Sequence, residues 1–187
     1  MDILVKNLAM KKYIVLLASL SFSLAVYAQE EESNKITDKG TFVIDANTTV
    51  GNVGGSVGGG GTSFLLTSGG GETIWNLGAE MGYFFDDDLA AKVGFGYGDY
   101  AGNSVFSYKF GLKYYIIGVI PAQLDISGQG SEDFYGAVNP AYLGLQAGYA
   151  VFLGEMVSLE PALRYNISLN DSFDGLFQIQ VGFSMFF

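Results

Sequence analysis

The feature that most constrains this chain is a two-residue alternation of bulky apolar side chains with small or polar ones, repeated along most of its length. It is clearest in LAAKVGFGYG at 89–98 and in FQIQVGFSMFF at 177–187. Successive residues of a strand point to opposite faces, so this period indicates strands with one apolar face. After residue 28 no stretch keeps the i, i+3, i+4, i+7 spacing of a helix or offers the ~20 continuous apolar residues of a spanning helix.

Eight segments carry the alternation, and the connections between them alternate in length. Short connections at 86–88, 117–120 and 153–156 lie on one side, and longer or polar ones at 51–72, 99–104, 128–140 and 169–175 lie on the other. This arrangement is typical of a transmembrane β-barrel whose short turns face the periplasm. The sequence therefore predicts an all-β fold, an eight-stranded antiparallel up-and-down transmembrane β-barrel over residues 40–187. Because proline lacks a ladder donor, Pro161 predicts a bulge or a strand start nearby.

Volume indicates which face of each strand points outward. An eight-stranded barrel encloses a lumen only wide enough for side chains to fill. The apolar parity carries many aromatic side chains besides Leu, Ile and Val, whereas the opposite parity is rich in Gly, Ser, Asn and Gln. The bulky set is thus expected outside, where it matches lipid, and closure would leave no unpaired strand edge in the hydrocarbon.

The polar parity contains equal numbers of acidic and basic residues. The acidic residues are Asp45, Glu80, Asp125 and Glu160, and the basic residues are Lys92, Lys109, Lys113 and Arg164. A narrow lumen of low dielectric constant penalises unpaired ions by several kcal/mol each, so a neutral set suits burial. We predict an internal ion-pair network that plugs the barrel, with a scatter of solvated charges as the alternative.

The first 28 residues read as a cleaved secretory signal peptide. Lys6, Lys11 and Lys12 precede an apolar run at 13–27, and Ala28 ends an A-x-A-like cleavage site. Residues 29–39 then form a short mature N-terminal segment, and translation begins at Met1 or Met10. An uncleaved membrane anchor is the alternative, although the apolar run is shorter than a spanning helix needs.

Composition removes several function classes. The chain has no Cys and no His, which excludes lipidation at Cys, imidazole-dependent catalysis and thiolate or imidazole metal sites. We therefore expect no enzyme activity, no cofactor and no bound metal. A net charge of −10 argues against a nucleic-acid partner. The glycine-rich stretch 51–61 lacks the lysine of a phosphate loop, and the adjacent carboxylates at 86–88 converge poorly for a cation.

The last strand ends in an aromatic residue within an alternating pattern. Gln180, Gly182, Phe183, Met185 and Phe187 resemble the carboxy-terminal signal by which an assembly machinery recognises outer-membrane β-barrels. The segments GYFFDDDLAAKVGFGYG and FGLKYYIIGVIPAQLDISG resemble the small outer-membrane β-barrel domain family, similar to the barrel alone of outer-membrane proteins A and X. The resemblance implies the bacterial outer membrane, with outer-membrane lipid and the barrel assembly machinery as partners.

Two functions follow as expectations. The first is an integral outer-membrane protein with a side-chain-filled lumen, serving as a structural component or as a scaffold for surface-exposed loops in adhesion or interaction. The alternative is a small-solute or hydrophobic-compound transport pore, in which the glycine-rich parity would leave a hydrated path. The surface partner stays unidentified.

Overall fold

Every regular element in the described part of the chain is a β-strand. The computed structural model describes residues 36–53, 62–69, 72–100, 102–131 and 138–187, so the predicted signal peptide and most of the segment 29–39 lie outside the described residues. Over the described ranges the structure contains no helix long and apolar enough to cross a membrane. The strands are β1 Phe42–Val53, β2 Ser63–Gly69, β3 Glu72–Asp86, β4 Leu89–Tyr100, β5 Asn103–Ile116, β6 Ile120–Gly130, β7 Ala141–Gly148, β8 Val151–Phe152, β9 Val157–Ser168 and β10 Leu176–Phe186.

The strands form one closed sheet. Most neighbours along the chain are antiparallel partners, and β10 returns to pair with β1 from Val43↔Phe186 to Val53↔Phe177. Closure gives both edges of the sheet a partner, which removes the exposed edges of an open sheet. The predicted all-β barrel is confirmed.

The predicted count of eight strands and the strictly up-and-down order are wrong. The described residues form ten strands, and β2 runs parallel to β1 through Asn47↔Ser63 and Thr48↔Phe64. β1 pairs directly with β3 only from Phe42↔Tyr83 to Asp45↔Glu80, and β2 takes the place beside β3 further along. The sequence did not predict β2, because the consecutive apolar residues Phe64, Leu65 and Leu66 break the two-residue alternation and lie within the predicted connection 51–72.

The two ends of the barrel differ in their connections. At one end, here called the short-turn end, turns at 87–88 and 117–119 and the segment 149–156 join the strands, and β8 lies within that segment. Asp88 and Ile117 adopt left-handed φ values of 63° and 51° in these turns. At the opposite end, here called the long-loop end, β9 ends at Ser168 and β10 begins at Leu176. The connection between β4 and β5 at this end is shorter than predicted, because β4 runs to Tyr100 and β5 begins at Asn103.

Pro161 lies inside β9, and the break between β7, which ends at Gly148, and β8, which begins at Val151, lies opposite it, so a strand does start nearby as predicted. The register between β9 and β10 is continuous from Met185↔Val157 through Val181↔Pro161 to Leu176↔Asn166. The carbonyl of Pro161 accepts a hydrogen bond from the Tyr149 amide at 3.0 Å. In an antiparallel ladder the N–H of a residue points to the same side as its C=O. The missing donor therefore faces the gap between β7 and β8, where the ladder on this side of β9 is interrupted before it resumes at Val151↔Leu159.

Burial is the reverse of that in a water-soluble protein. On the outer wall Leu77 is 64% exposed and Phe95 53%, whereas Glu80 and Lys113 inside are 1% and 2% exposed. Along β4 and β9 buried and exposed residues alternate almost throughout. The apolar side chains thus cover the outside of the barrel, and the polar ones fill its lumen.

Candidate functional site: the lumen of the barrel

A chain of ion pairs crosses the middle of the lumen. The ammonium group of Lys92 on β4 donates to Asp45 Oδ2 on β1 and lies 2.6 Å from Glu80 Oε2 on β3. From β5, Lys113 Nζ lies 3.1 Å from the same Asp45 oxygen and 2.6 Å from Glu160 Oε2 on β9. Each lysine therefore bridges two carboxylates that come from different strands.

A second ion pair lies beside this chain and is joined to it by an amide. Arg164 on β9 contacts Asp125 on β6 through Nη1–Oδ2 and Nη2–Oδ1, both at 2.6 Å. Gln123 Nε2 donates to Asp125 Oδ2 at 2.8 Å, while its Oε1 accepts from Lys92 Nζ at 3.0 Å. A bidentate guanidinium–carboxylate contact has strict directional requirements, so it fixes the orientation of both side chains inside the lumen.

Other side chains, one of them charged, donate to the remaining oxygens of Glu80 and Glu160. Tyr115 OH and Ser158 Oγ donate to Glu160 Oε1 at 2.6 and 2.8 Å. Lys109 and Thr62 both donate to Glu80 Oε1, the latter at 2.9 Å. These contacts matter because a buried ion costs less when hydrogen bonds satisfy its remaining lone pairs.

The structure brings together all eight charged residues singled out from the sequence. None is more than 5% exposed, and each takes part in at least one ion pair with another member of the set. The members are Asp45, Glu80, Lys92, Lys109, Lys113, Asp125, Glu160 and Arg164. Within the described ranges no group of three or more carboxylates is arranged to hold a metal ion. The arrangement cross-links six strands through the lumen.

Inward-facing glycines provide the space that the network occupies. A methyl group at Gly144 would stand 2.1 Å from Nη2 of Arg164, and one at Gly111 would stand 2.4 Å from Cβ of Asp125. Both distances are far below van der Waals contact. The glycine-rich inner parity is therefore filled by long side chains from other strands.

Carboxamide side chains continue the packing towards the long-loop end. Arg164 Nε donates to Asn166 Oδ1, and Asn166 Nδ2 donates to Gln178 Oε1, both at 2.8 Å. Gln129, buried on β6, donates to Ser107 Oγ at 3.3 Å. Buried polar groups are therefore hydrogen-bonded to one another on this side of the ion pairs as well.

The short-turn end of the lumen is closed by an apolar cluster that the sequence reading did not identify. Phe84, Tyr115 and Phe186 stand at inward positions with ring centroids 6.0 to 6.3 Å apart, and Phe152 of β8 lies 6.1 Å from Phe186. We call this cluster, with Val43, Ala90 and Ala150, the apolar seal; Ile36 packs against it.

The described N-terminal residues run beneath the apolar seal and are tied to the acidic turn. Thr37 is buried; its hydroxyl donates to Asp88 Oδ1 at 2.5 Å, and its carbonyl accepts from the Asp88 amide at 2.8 Å. The Lys39 amide donates to Asp87 Oδ1, and the Gly40 amide to the Phe84 carbonyl. Two of the adjacent carboxylates at 86–88, those of Asp87 and Asp88, therefore hold the segment 36–40, here called the strap.

A sequence signal for the apolar seal exists in retrospect. Aromatic doublets interrupt the alternation at 84–85, 114–115 and 186–187, each next to a short turn or at the end of the chain. In each doublet one ring faces out and the other is buried, as with Tyr114 and Tyr115.

The residues of the C-terminal motif lie on the strand that closes the barrel and just after it. Gln180 and Gly182 are buried on the inner side of β10, and Phe183 and Met185 are exposed on the outer wall. Phe187 is 62% exposed, and its amide donates to the Phe42 carbonyl at 2.9 Å.

Comparison with known proteins found no matching family model and no matching curated protein. Among solved structures the chain is similar to the N-terminal β-barrel domain of Pseudomonas aeruginosa OprF, with 15% identity, a TM-score of 0.46, and coverage of 80% of this chain and 98% of that one. Neisserial surface protein A shows 15% identity, a TM-score of 0.45 and coverage of 78% and 95%. The Yersinia pestis outer membrane protein Ail shows 12% identity, a TM-score of 0.43 and coverage of 79% and 100%. The likeness is one of fold and assigns no activity.

Proposed function

We propose that this chain is an integral outer-membrane protein whose barrel spans the bilayer as a filled scaffold. The observation that carries the proposal is the reversed burial of a closed barrel, in which bulky apolar side chains are exposed outside and ion pairs are buried inside. An outer wall of this kind is stable against acyl chains and would aggregate in water. The predicted signal peptide and the C-terminal motif support export to the outer membrane.

The contents of the lumen favour a filled scaffold over a transport pore. The ion pairs join strands up to three positions apart around the barrel, such as β5 and β9 through Lys113 and Glu160, and the Arg164 guanidinium fills the space over Gly144. The apolar seal adds a second obstruction at the short-turn end. A solute would have to separate buried ion pairs, and a buried charge that loses its partner costs several kcal/mol.

The asymmetry of the two ends supports a role in presenting surface loops. In outer-membrane barrels the short turns face the periplasm and the longer connections face outward. By that rule the strap and the apolar seal lie at the periplasmic end. The described connection at 169–175, which follows β9, then lies at the cell surface, where an adhesion or interaction partner would meet it.

We further propose that β10 carries the signal read by the barrel assembly machinery. Gln180, Gly182, Phe183 and Met185 combine a polar inner face with an apolar outer face on β10, which completes the barrel by pairing with β1, and Phe187 follows directly after it.

Two experiments on the refolded mature chain test the proposal. In SDS electrophoresis we expect heat-modifiable migration, because closed barrels resist detergent until heated. In planar-bilayer recording we expect no steady open channel. A stable conductance would contradict the filled lumen and favour the pore. Recovery of the expressed protein in the periplasmic fraction, without membrane association, would contradict the proposed location.

A further inference from the structure

The outer wall of the barrel is not uniformly covered by bulky side chains. A groove of about 550 Å³ runs across it from Leu89 on β4 to Phe177 on β10. Its centre is formed by Ala122 on β6 and Ala147 on β7, which are register partners. The next outward positions carry larger side chains, Leu124 on β6 and Leu145 on β7.

The two alanines lie between taller neighbours. Tyr114 is the register partner of Ala122 on one side, and Leu163 is the partner of Ala147 on the other. Leu124 and Leu145, themselves partners, stand in the next outward row. Strands are about 4.8 Å apart, so the low floor between the flanking side chains is two to three strand spacings across, roughly 10–15 Å.

We propose that this groove binds an acyl chain of a membrane lipid. The inference rests on the proposed function, because it requires that the outer wall face a bilayer. The groove is continuous with the rest of the apolar wall, so hydrocarbon is what the membrane presents to it. Its outward-facing lining side chains are all apolar or tyrosine; Gln123, Gln146 and Arg164, which hydrogen-bond within the lumen, also border it.

The shape of the groove favours an extended chain over a compact ligand. It crosses six strands, which corresponds to five strand spacings or roughly 24 Å along the wall. In lipid no hydrophobic force drives association, so the gain comes from van der Waals packing. A chain seated over Ala122 and Ala147 touches a floor and two flanks, and therefore makes more contacts than a chain lying on a flat wall.

Photocrosslinking tests the site. The mature chain is reconstituted in phosphatidylethanolamine vesicles containing a phosphatidylethanolamine with a diazirine in its acyl chain, and labelled peptides are mapped by mass spectrometry. Leu124, Leu145 and Leu163 are 49%, 46% and 54% exposed, and Leu77, on the distant β3, is 64% exposed. Bulk lipid would label Leu77 at least as strongly as the other three. We expect severalfold stronger labelling of the three groove leucines.

Filling the groove provides the matched variants. Ala122→Leu with Ala147→Leu should abolish the excess labelling, whereas Ala79→Leu, on the outer wall of β3, should leave it unchanged. Folding of each variant is checked by heat-modifiable migration. If the filled variant does not fold, the comparison of the groove leucines with Leu77 in the parent chain still decides.

Three results would overturn the inference. If the labelling of each leucine followed only its exposed fraction, the groove would be covered by ordinary bulk lipid and would not be a binding site. Crosslinked dimers joined through the groove would mean that a second copy of the chain occupies it. Absence of lipid labelling at Leu77 as well as in the groove would overturn the proposed membrane function itself, and with it the site.

Discussion

The guanidinium of Arg164 binds both carboxylate oxygens of Asp125 at 2.6 Å, over Gly144 of the intervening strand β7, although the two residues are 39 positions apart in the chain. Both side chains are almost completely buried, so neither ion has water as an alternative partner. The pair therefore joins β6 and β9 from within, independently of the backbone ladder.

Removing one member of this pair should destabilise the barrel strongly. Arg164→Met leaves Asp125 charged, buried and without its main partner, at a cost of about 3–5 kcal/mol. The double variant Asp125→Asn with Arg164→Met should recover part of that loss, because it removes both ions. Urea unfolding in vesicles, followed by the fluorescence of the single tryptophan Trp75, measures the change. Glu155→Gln, at an exposed position, is the control and should change stability by less than about 0.5 kcal/mol. Equal losses in the single and double variants would contradict the proposed pairing.

Adding one methyl group should destabilise the barrel at Gly144, which faces the lumen, and not at Gly130, whose register partner Phe106 is exposed on the outer wall. At Gly144 the new atom would meet Arg164 Nη2, so Gly144→Ala should cost about 1–3 kcal/mol or prevent folding. At Gly130 it would meet no atom within 4 Å. The folded fraction on unheated SDS gels and urea unfolding report the effect. Similar behaviour of the two variants would show that the lumen has free space.

A charged residue on the outer wall should lower the stability of the barrel strongly only where that wall lies within the bilayer. Phe110 lies near the middle of β5 and is 54% exposed, so Phe110→Lys should cost about 2–4 kcal/mol in vesicles. Met156→Lys, at the short-turn end, should cost much less. Reversible urea unfolding in vesicles compares the two. If Phe110→Lys were as stable as the parent chain, the wall would not face hydrocarbon.

The strap should control access to the lumen from the short-turn end. The chain has no cysteine, so a single Ser158→Cys reports at a buried position above the apolar seal. We expect no reaction with a charged thiol reagent in the sealed protein, and clear reaction when Ile36→Asp and Thr37→Ala are added.

Ser104→Cys, at an exposed position on β5, controls for the reagent and should react in both backgrounds. Heat-modifiable migration of each variant confirms that the barrel has formed. Ready labelling of Ser158→Cys with the strap intact would contradict a closed short-turn end.

Truncating the terminal aromatic side chain should impair assembly in the cell more than folding in the test tube. Phe187→Ala keeps the backbone hydrogen bonds to Phe42, so refolding into detergent should proceed nearly as in the parent chain. In cells the amount of folded protein in the outer membrane should fall severalfold. Phe106→Ala, at an exposed aromatic position on β5, should not reduce it. Equal yields of the two variants would contradict the proposed signal.

The sequence predicted the fold best where two constraints combined: the two-residue alternation of the strands and the small volume of the lumen. Alternation assigned each residue to a face, and the size of Phe95 or Phe110 against an inward Gly94 or Gly111 assigned the faces to outside and inside. It failed at β2, where Leu65 interrupts the alternation. That strand depends on pairing with β1 and β3, which no local pattern records.

The sequence by itself determined that the chain forms strands with an apolar outer face and a neutral set of charges on the inner face, because both follow from side-chain parity and size. Only the tertiary structure decided which charges meet. Lys92 joins Asp45 and Glu80, and Arg164 joins Asp125, because closure and register bring those strands to the same height across the lumen. The tertiary structure also decided that Phe84, Tyr115 and Phe186 converge into a seal, since no local pattern records the distance between rings on different strands.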